Sequence, residues 1–135
     1  MIERLDFTTR GQGLHPITDR IAACVRASGV ETGLCTVFVR HTSASLLIQE
    51  NADPSARRDL ECWLNRLVAE RDPLYTHTTE GPDDMPSHIK AALTAVSLSI
   101  PILGGRLALG TWQGIYLWEH RRDGQVRELV VHIGA

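Results

Sequence analysis

The chain has 135 residues, 43% of them hydrophobic and 22% charged, with a formal net charge of −2. This describes a single globular domain, residues 1–135, and excludes a disordered polymer. The near-neutral balance excludes a nucleic-acid footprint, and no apolar run reaches the ~20 residues that cross a bilayer, so neither nucleic acid nor membrane is an expected partner. The first residues, Met1-Ile2-Glu3-Arg4-Leu5-Asp6, lack the basic-then-apolar order of a secretory leader, so the expected location is cytoplasmic.

Residues 1–9 alternate weakly and read as a strand, and Gly11-Gln12-Gly13 reads as a turn. From Pro16 to Ala27 the apolar residues Ile17, Ile21, Cys24 and Val25 recur at helical spacing, and Gly29 stops the run. Leu34 to His41 is an alternating strand, followed at once by a second, Ala44 to Ile48. Asp53 before Pro54 opens a helix, which Leu60, Trp63, Leu64, Leu67 and Val68 carry towards Arg71-Asp72-Pro73. Tyr75 to Ser87 is polar and without period, long for a connector in so small a domain. A short helix is expected over His88–Thr94, then strands over 97–103, 106–109, 115–121 and 126–133, punctuated by Gly104-Gly105, Gly110 and Asp123-Gly124. Strands dominate and the alternating order of a parallel sheet is missing. The expected fold is α+β, antiparallel strands covered by two or three helices.

Six histidines are the compositional excess. His41 stands at a strand end, His77 lies in the long polar loop, and His88 opens the helix behind it. Between His77 and His88 sit Glu80, Asp83 and Asp84, so this stretch reads either as a metal or phosphate site built from loops or as a solvated loop with capping acids. His77 and His88 are too far apart in sequence to be an i, i+4 ligand pair. His120 ends an apolar strand; His15 and His132 read as ordinary surface or core residues. Cys24, Cys35 and Cys62, odd in number and set among apolar residues, read as reduced thiols. Gly110-Thr111-Trp112-Gln113-Gly114 matches no nucleotide-binding glycine loop; Trp112 and Gln113 suit either a planar ligand or the end of a core.

Five ordered blocks carry a family resemblance: His41-Thr42-Ser43-Ala44-Ser45-Leu46; Gln49-Glu50-Asn51-Ala52-Asp53-Pro54; Glu80 through Lys90; Gly110-Thr111-Trp112-Gln113-Gly114-Ile115; and Glu119-His120-Arg121. In these the chain resembles the YjbQ-like family, often labelled secondary thiamine-phosphate synthase, over essentially its whole length. The resemblance implies an α+β domain with a small antiparallel β-sandwich, assembled as a homotrimer. It implies His41, His77 and His88 as metal ligands, for zinc. Three neutral imidazoles would leave a fourth position open for water or substrate. Glu50, Asn51, Asp53 and Asp84 are then candidates for orienting the ligands or acting as general base. Trp112 and Gln113 would contact the substrate ring, and Arg106 or Arg121 would hold its phosphate. The expected function is a metal-dependent enzyme acting on a small phosphorylated or heteroaromatic metabolite, with thiamine-phosphate synthase activity or hydrolysis as its chemistry. Magnesium would enter if the substrate is a diphosphate. The alternative is a non-catalytic metal- or ligand-binding homotrimer.

Overall fold

The computed structural model describes all 135 residues. The elements run β1 (Ile2–Thr8), β2 (Gly13–Pro16), α1 (Thr18–Ser28), β3 (Thr32–Val39), β4 (Ala44–Glu50), α2 (Pro54–Leu67), α3 (Asp84–Leu93), β5 (Ser97–Leu103), β6 (Arg106–Leu107), β7 (Gln113–Glu119) and β8 (Val126–Gly134). They form two sheets, a five-stranded one ordered β1-β8-β3-β5-β6 and a three-stranded one ordered β2-β7-β4. All pairings are antiparallel. The expected α+β sandwich is what forms.

Period-two alternation decides which side chains the sheets share. Cys35, Val37 and Val39 of β3, Leu129, Val131 and Ile133 of β8, and Ile100 and Ile102 of β5 point inward. They meet Ala44 and Leu46 of β4 and Ile115 and Leu117 of β7, and α1 adds Ile21, Cys24 and Val25. The opposite face of the small sheet is also buried: Leu14, Tyr116 and Trp118 pack on Leu64 of α2, with Ile89 of α3 against them. β7 therefore reads as a continuous apolar run because both of its faces are covered. Trimming one methyl at the centre, Ile115→Val, should cost about 0.5–1.5 kcal/mol, readable as a lowered urea midpoint at unchanged slope.

Several boundaries differ from the sequence expectation. Residues 13–16, expected as a turn and a helix start, form β2, because they pair with Tyr116–Glu119 of β7 and because Pro16 is tolerated on an edge strand. α1 accordingly begins at Thr18 and ends at Gly29, which takes the left-handed conformation (φ 71°) that a side chain would strain. α2 stops at Leu67, short of Arg71. α3 begins at Asp84, four residues before His88, since Pro86 falls in the first turn, where no N–H is required. That early start places Asp84 and His88 one turn apart on the same helix face.

Candidate metal centre

Three chain segments meet where the small sheet ends. The polar loop brings His77, the first turn of α3 brings Asp84 and then His88, and the segment after β7 brings Arg121. His77 Nε2 lies 2.7 Å and His88 Nε2 3.1 Å from the same oxygen, Oδ2 of Asp84. The two imidazole rings are 5.3 Å apart, tilted by 49°. One donor atom from each of the three residues falls within 4.8 Å of the others. Four-coordinate zinc with ligands at ~2.0–2.1 Å would set its donor atoms ~3.3 Å apart, so the two histidine–carboxylate contacts, at 2.7 and 3.1 Å, would open slightly to admit an ion.

The supporting hydrogen bonds fix the chemistry. His88 Nδ1 donates to the backbone carbonyl of Thr42 at 2.9 Å; a carbonyl only accepts, so Nδ1 carries the proton. The lone pair of Nε2 is then turned on a carboxylate oxygen. Two lone pairs at that distance need a cation between them, either a proton or a metal ion. A ligating histidine whose second nitrogen is held by a carbonyl is the usual way to set a ligand's tautomer. The residues present thus fit a divalent ion.

Asp84 is nearly inaccessible. Burial alone would raise its pKa. The hydrogen bond from His77 and the charges of His88 and Arg121 outweigh that and hold it below the ordinary carboxylate range. Arg121 is the clamp: Nη1 donates to Asp84 Oδ1 at 3.0 Å, Nε to Asp83 Oδ2 at 3.0 Å and Nη2 to the Glu80 carbonyl at 2.9 Å. Asp83 also accepts from the backbone N–H of Arg122 at 2.9 Å. Burial of Asp83 pushes its pKa up, and the bonds from Arg121 and Arg122 more than reverse this. Arg121, expected to hold a substrate phosphate, is instead committed to the two aspartates.

His41 stands outside this cluster. Its Nε2 accepts from the backbone N–H of Glu128 at 2.8 Å, which ties the ring to the start of β8. Within this chain, then, His77 and His88 of the expected three-histidine set come together with the Asp84 carboxylate, and His41 does not join them. Burial, then the nearby Arg127 charge, lower the His41 pKa despite Glu119 and Glu128, and because Nε2 accepts, the ring proton sits on Nδ1. His41 and His88 nevertheless line one groove of about 720 Å3, and His77 lines a second hollow of about 400 Å3 with Arg71, Tyr75 and Met85.

The remaining expected residues lie elsewhere in the chain. In the β4–β7 register Ala44 faces Glu119 and Glu50 faces Gln113. At about 3.4 Å per residue, the Glu50 end is roughly 20 Å from the histidine end. There Asn51 Nδ2 donates to the carbonyls of Gln113 (3.2 Å) and Thr111 (3.4 Å), and Gln113 Oε1 accepts from the Gly110 N–H at 2.8 Å. These residues tie one turn together. Glu50 Oε2 accepts from the Ala52 N–H, and Asp53 caps α2 through the Ser55 N–H. Trp112 is 63% exposed, and Arg106 lines a different hollow beside Gly29 and Leu107. Within one chain, then, Glu50, Asn51, Asp53, Trp112, Gln113 and Arg106 do not join the cluster.

Sequence reasoning named Asp84 as an orienting group or general base and missed that it touches both histidines, although the signal was present: Asp84 and His88 are an i, i+4 pair. The Thr42 carbonyl that orients His88 carries no side-chain signal at all. His120, read in the sequence as ending an apolar strand, is buried. Its Nε2 shares a 2.8 Å hydrogen bond with Ser45 Oγ, and its Nδ1 has no partner.

A profile of the family described as UPF0047 protein YjbQ-like matches residues 3–135. The chain is 57% identical over 133 residues to UPF0047 protein sll1880 of Synechocystis, covering 98% of this chain and 90% of that one. It is 46% identical over 129 residues to YjbQ of Salmonella typhimurium, covering 93% and 91%. Among solved structures, an uncharacterised YjbQ/UPF0047 protein of Clostridium acetobutylicum superposes with a TM-score of 0.90 at 36% identity, covering 98% and 99% of the two chains. A conserved hypothetical protein of Thermus thermophilus superposes at 0.87, also at 36% identity and with the same coverage. Sequence blocks, sandwich topology and near-complete coverage converge, and the chain belongs to the YjbQ/UPF0047 family.

Proposed function

We propose that His77, Asp84 and His88 form a divalent-metal centre of the zinc type. We further propose that the protein is a metal-dependent enzyme acting on a small phosphorylated or heteroaromatic metabolite. The observation that carries this reading is the convergence of His77 Nε2 and His88 Nε2 on one oxygen of Asp84, with His88 Nδ1 held by the Thr42 carbonyl. Two histidines and a carboxylate match the donor set of hydrolytic zinc centres, which keep a position open. An ion held there supplies Lewis acidity and acidifies water. The chain's own residues do the rest. Arg121 fixes both carboxylates in place, Thr42 aims His88, and the half-exposed His77 side chain leaves the approach open on its side.

The thiamine-phosphate synthase activity implied by the resemblance is the finer reading, and it would call for a magnesium-held diphosphate. Asp83 could serve such an ion only by giving up Arg121 and the Arg122 N–H, which favours chemistry at the single histidine–aspartate centre. A homotrimer is part of the same proposal. No helix covers the outer face of the five-stranded sheet, which exposes Ile2, Leu34, Leu103 and Val126. No helix is long and apolar enough to cross a membrane.

The test is metal content per chain in protein purified without a histidine tag. Near-stoichiometric zinc is expected in the wild type and in His41→Ala, and its loss is expected in His77→Ala, Asp84→Ala and His88→Ala. Wild type without metal after reconstitution would return the cluster to proton-bridged duty. Bound metal with no turnover on a panel of phosphorylated substrates would favour the non-catalytic binding protein.

A further inference from the structure

The groove beside His88 has a composition that the metal centre does not require. Its walls are Phe38 and Val39 of β3, Ala91 and Ala92 of α3, and Val96 just before β5. No carboxylate lines it. The one charged side chain on its rim, Arg40, is paired through Nη1 with Glu128 at 2.7 Å. At about 720 Å3 it has the size of a small-molecule site.

Besides Arg40 and Thr42, two imidazoles line this space, and backbone contacts fix both. His88 belongs both to the groove and to the cluster with His77 and Asp84, so the groove adjoins the proposed centre at this one side chain. His41 spends its Nε2 on the Glu128 N–H. The ring proton therefore sits on Nδ1, which has no protein partner. A fixed N–H donor in an apolar site is selective, because a ligand without an acceptor leaves it unpaired at a cost. Phe38 and Val96 are more than a third exposed, and a ligand lying between them would cover them.

We infer that this groove is the substrate subsite of the metal centre, taking a flat apolar or aromatic ring between Phe38, Ala92 and Val96 and placing an oxyanion or carbonyl oxygen carried on that ring against His41 Nδ1–H. The inference rests on the metal-centre reading for its chemistry, and on the groove alone for ring recognition. It moves ring binding from Trp112 and Gln113 to the opposite end of the small sheet. His41 becomes a substrate-binding group rather than a metal ligand.

Calorimetric titration with phenylphosphate, inorganic phosphate and benzyl alcohol tests it on the tag-free protein as purified. Phenylphosphate is expected to bind at least tenfold tighter than inorganic phosphate. Ala92→Phe fills the groove from an exposed helix position and should abolish that preference without changing metal content. His41→Gln keeps an acceptor for the Glu128 N–H while deleting the donor, and should weaken phenylphosphate about fivefold or more and leave benzyl alcohol unchanged. Equal affinities for phenylphosphate and phosphate in the wild type would overturn the proposal, as would a preference that survives Ala92→Phe. A smaller assembly on sedimentation of Ala92→Phe would assign the groove to a second copy of the chain and also overturn it. A ring preference that persists in protein devoid of metal would sustain the groove while sinking the metal centre, so the two failures are distinguishable.

Discussion

Replacing Arg127 by Met is expected to lower the unfolding free energy by about 3–5 kcal/mol, more than any single methyl trimmed from the core. Arg127 is an inward residue of β8, and it reaches across the sandwich to Glu119 at the end of β7. Its Nε donates to Glu119 Oε1 at 2.9 Å, and Nη2 donates to Glu119 Oε2, to Ser43 Oγ (2.9 Å) and to the Ser43 carbonyl (3.1 Å). Thr9 Oγ1 adds a 2.7 Å bond to Glu119, and the Arg121 N–H adds another at 3.2 Å. Glu119 is wholly inaccessible and Arg127 nearly so. The pair plugs one end of the sandwich core. Removing the cation strands a buried carboxylate with only a hydroxyl and one N–H, and that uncompensated charge dominates the cost. The double change Glu119→Leu with Arg127→Met should recover much of the loss, because no charge is then left alone. Urea unfolding followed by tryptophan fluorescence, at one protein concentration, measures both. A cost below about 1 kcal/mol for Arg127→Met would mean that water reaches this end of the sandwich.

His120 governs a second large effect, as a slope against pH. Burial first, then the neighbouring Lys90 and Arg127 charges, push its pKa down from 6.5 to about 3. Above the unfolded value neither state holds the proton, and the full stability is present. Between there and the folded value the unfolded chain binds a proton that the folded chain refuses, so stability falls as pH falls. At ~1.4 kcal/mol per pH unit, acidifying to about pH 5 should remove on the order of 2 kcal/mol through this residue alone. His120→Gln can keep the bond to Ser45 without a titrating ring. Its unfolding midpoint should decline less steeply from about pH 7 to 5 than that of the wild type, whatever its stability at neutral pH. Parallel profiles would show that the unfolded chain, or a water beside Nδ1, already accommodates the imidazole.

The polar network around the histidine centre and the apolar sandwich differ in how far each could be read from the chain. The alternation in Leu34–Val39 and Val126–Ile133, the stripe of Ile17, Ile21, Cys24 and Val25, and the Asp53-Pro54 start each specify a local periodicity or cap. Local backbone geometry then assigns an inner face to each element. That was enough for the α+β class and for most elements within a few residues. β2 escaped because an edge strand of four residues containing proline owes its existence to its partner β7, which lies about 100 residues away in sequence.

The site divides along the same line. Sequence alone picked out His77, Asp84, His88 and Arg121 as a polar stretch and a later arginine with chemical potential. It placed His41, Glu50, Asn51, Trp112 and Gln113 with them because residue type carries no address. Only the tertiary structure decided that β4 and β7 run a full strand length between the two ends, separating Trp112 and Gln113 from the histidines. It also set the tautomers of His88 and His41, through a carbonyl of Thr42 and an N–H of Glu128. Those partners are backbone atoms, identical in every residue but proline. The sequence therefore determined the elements and the inventory of polar side chains, while long-range packing determined which of them meet and which way each nitrogen faces.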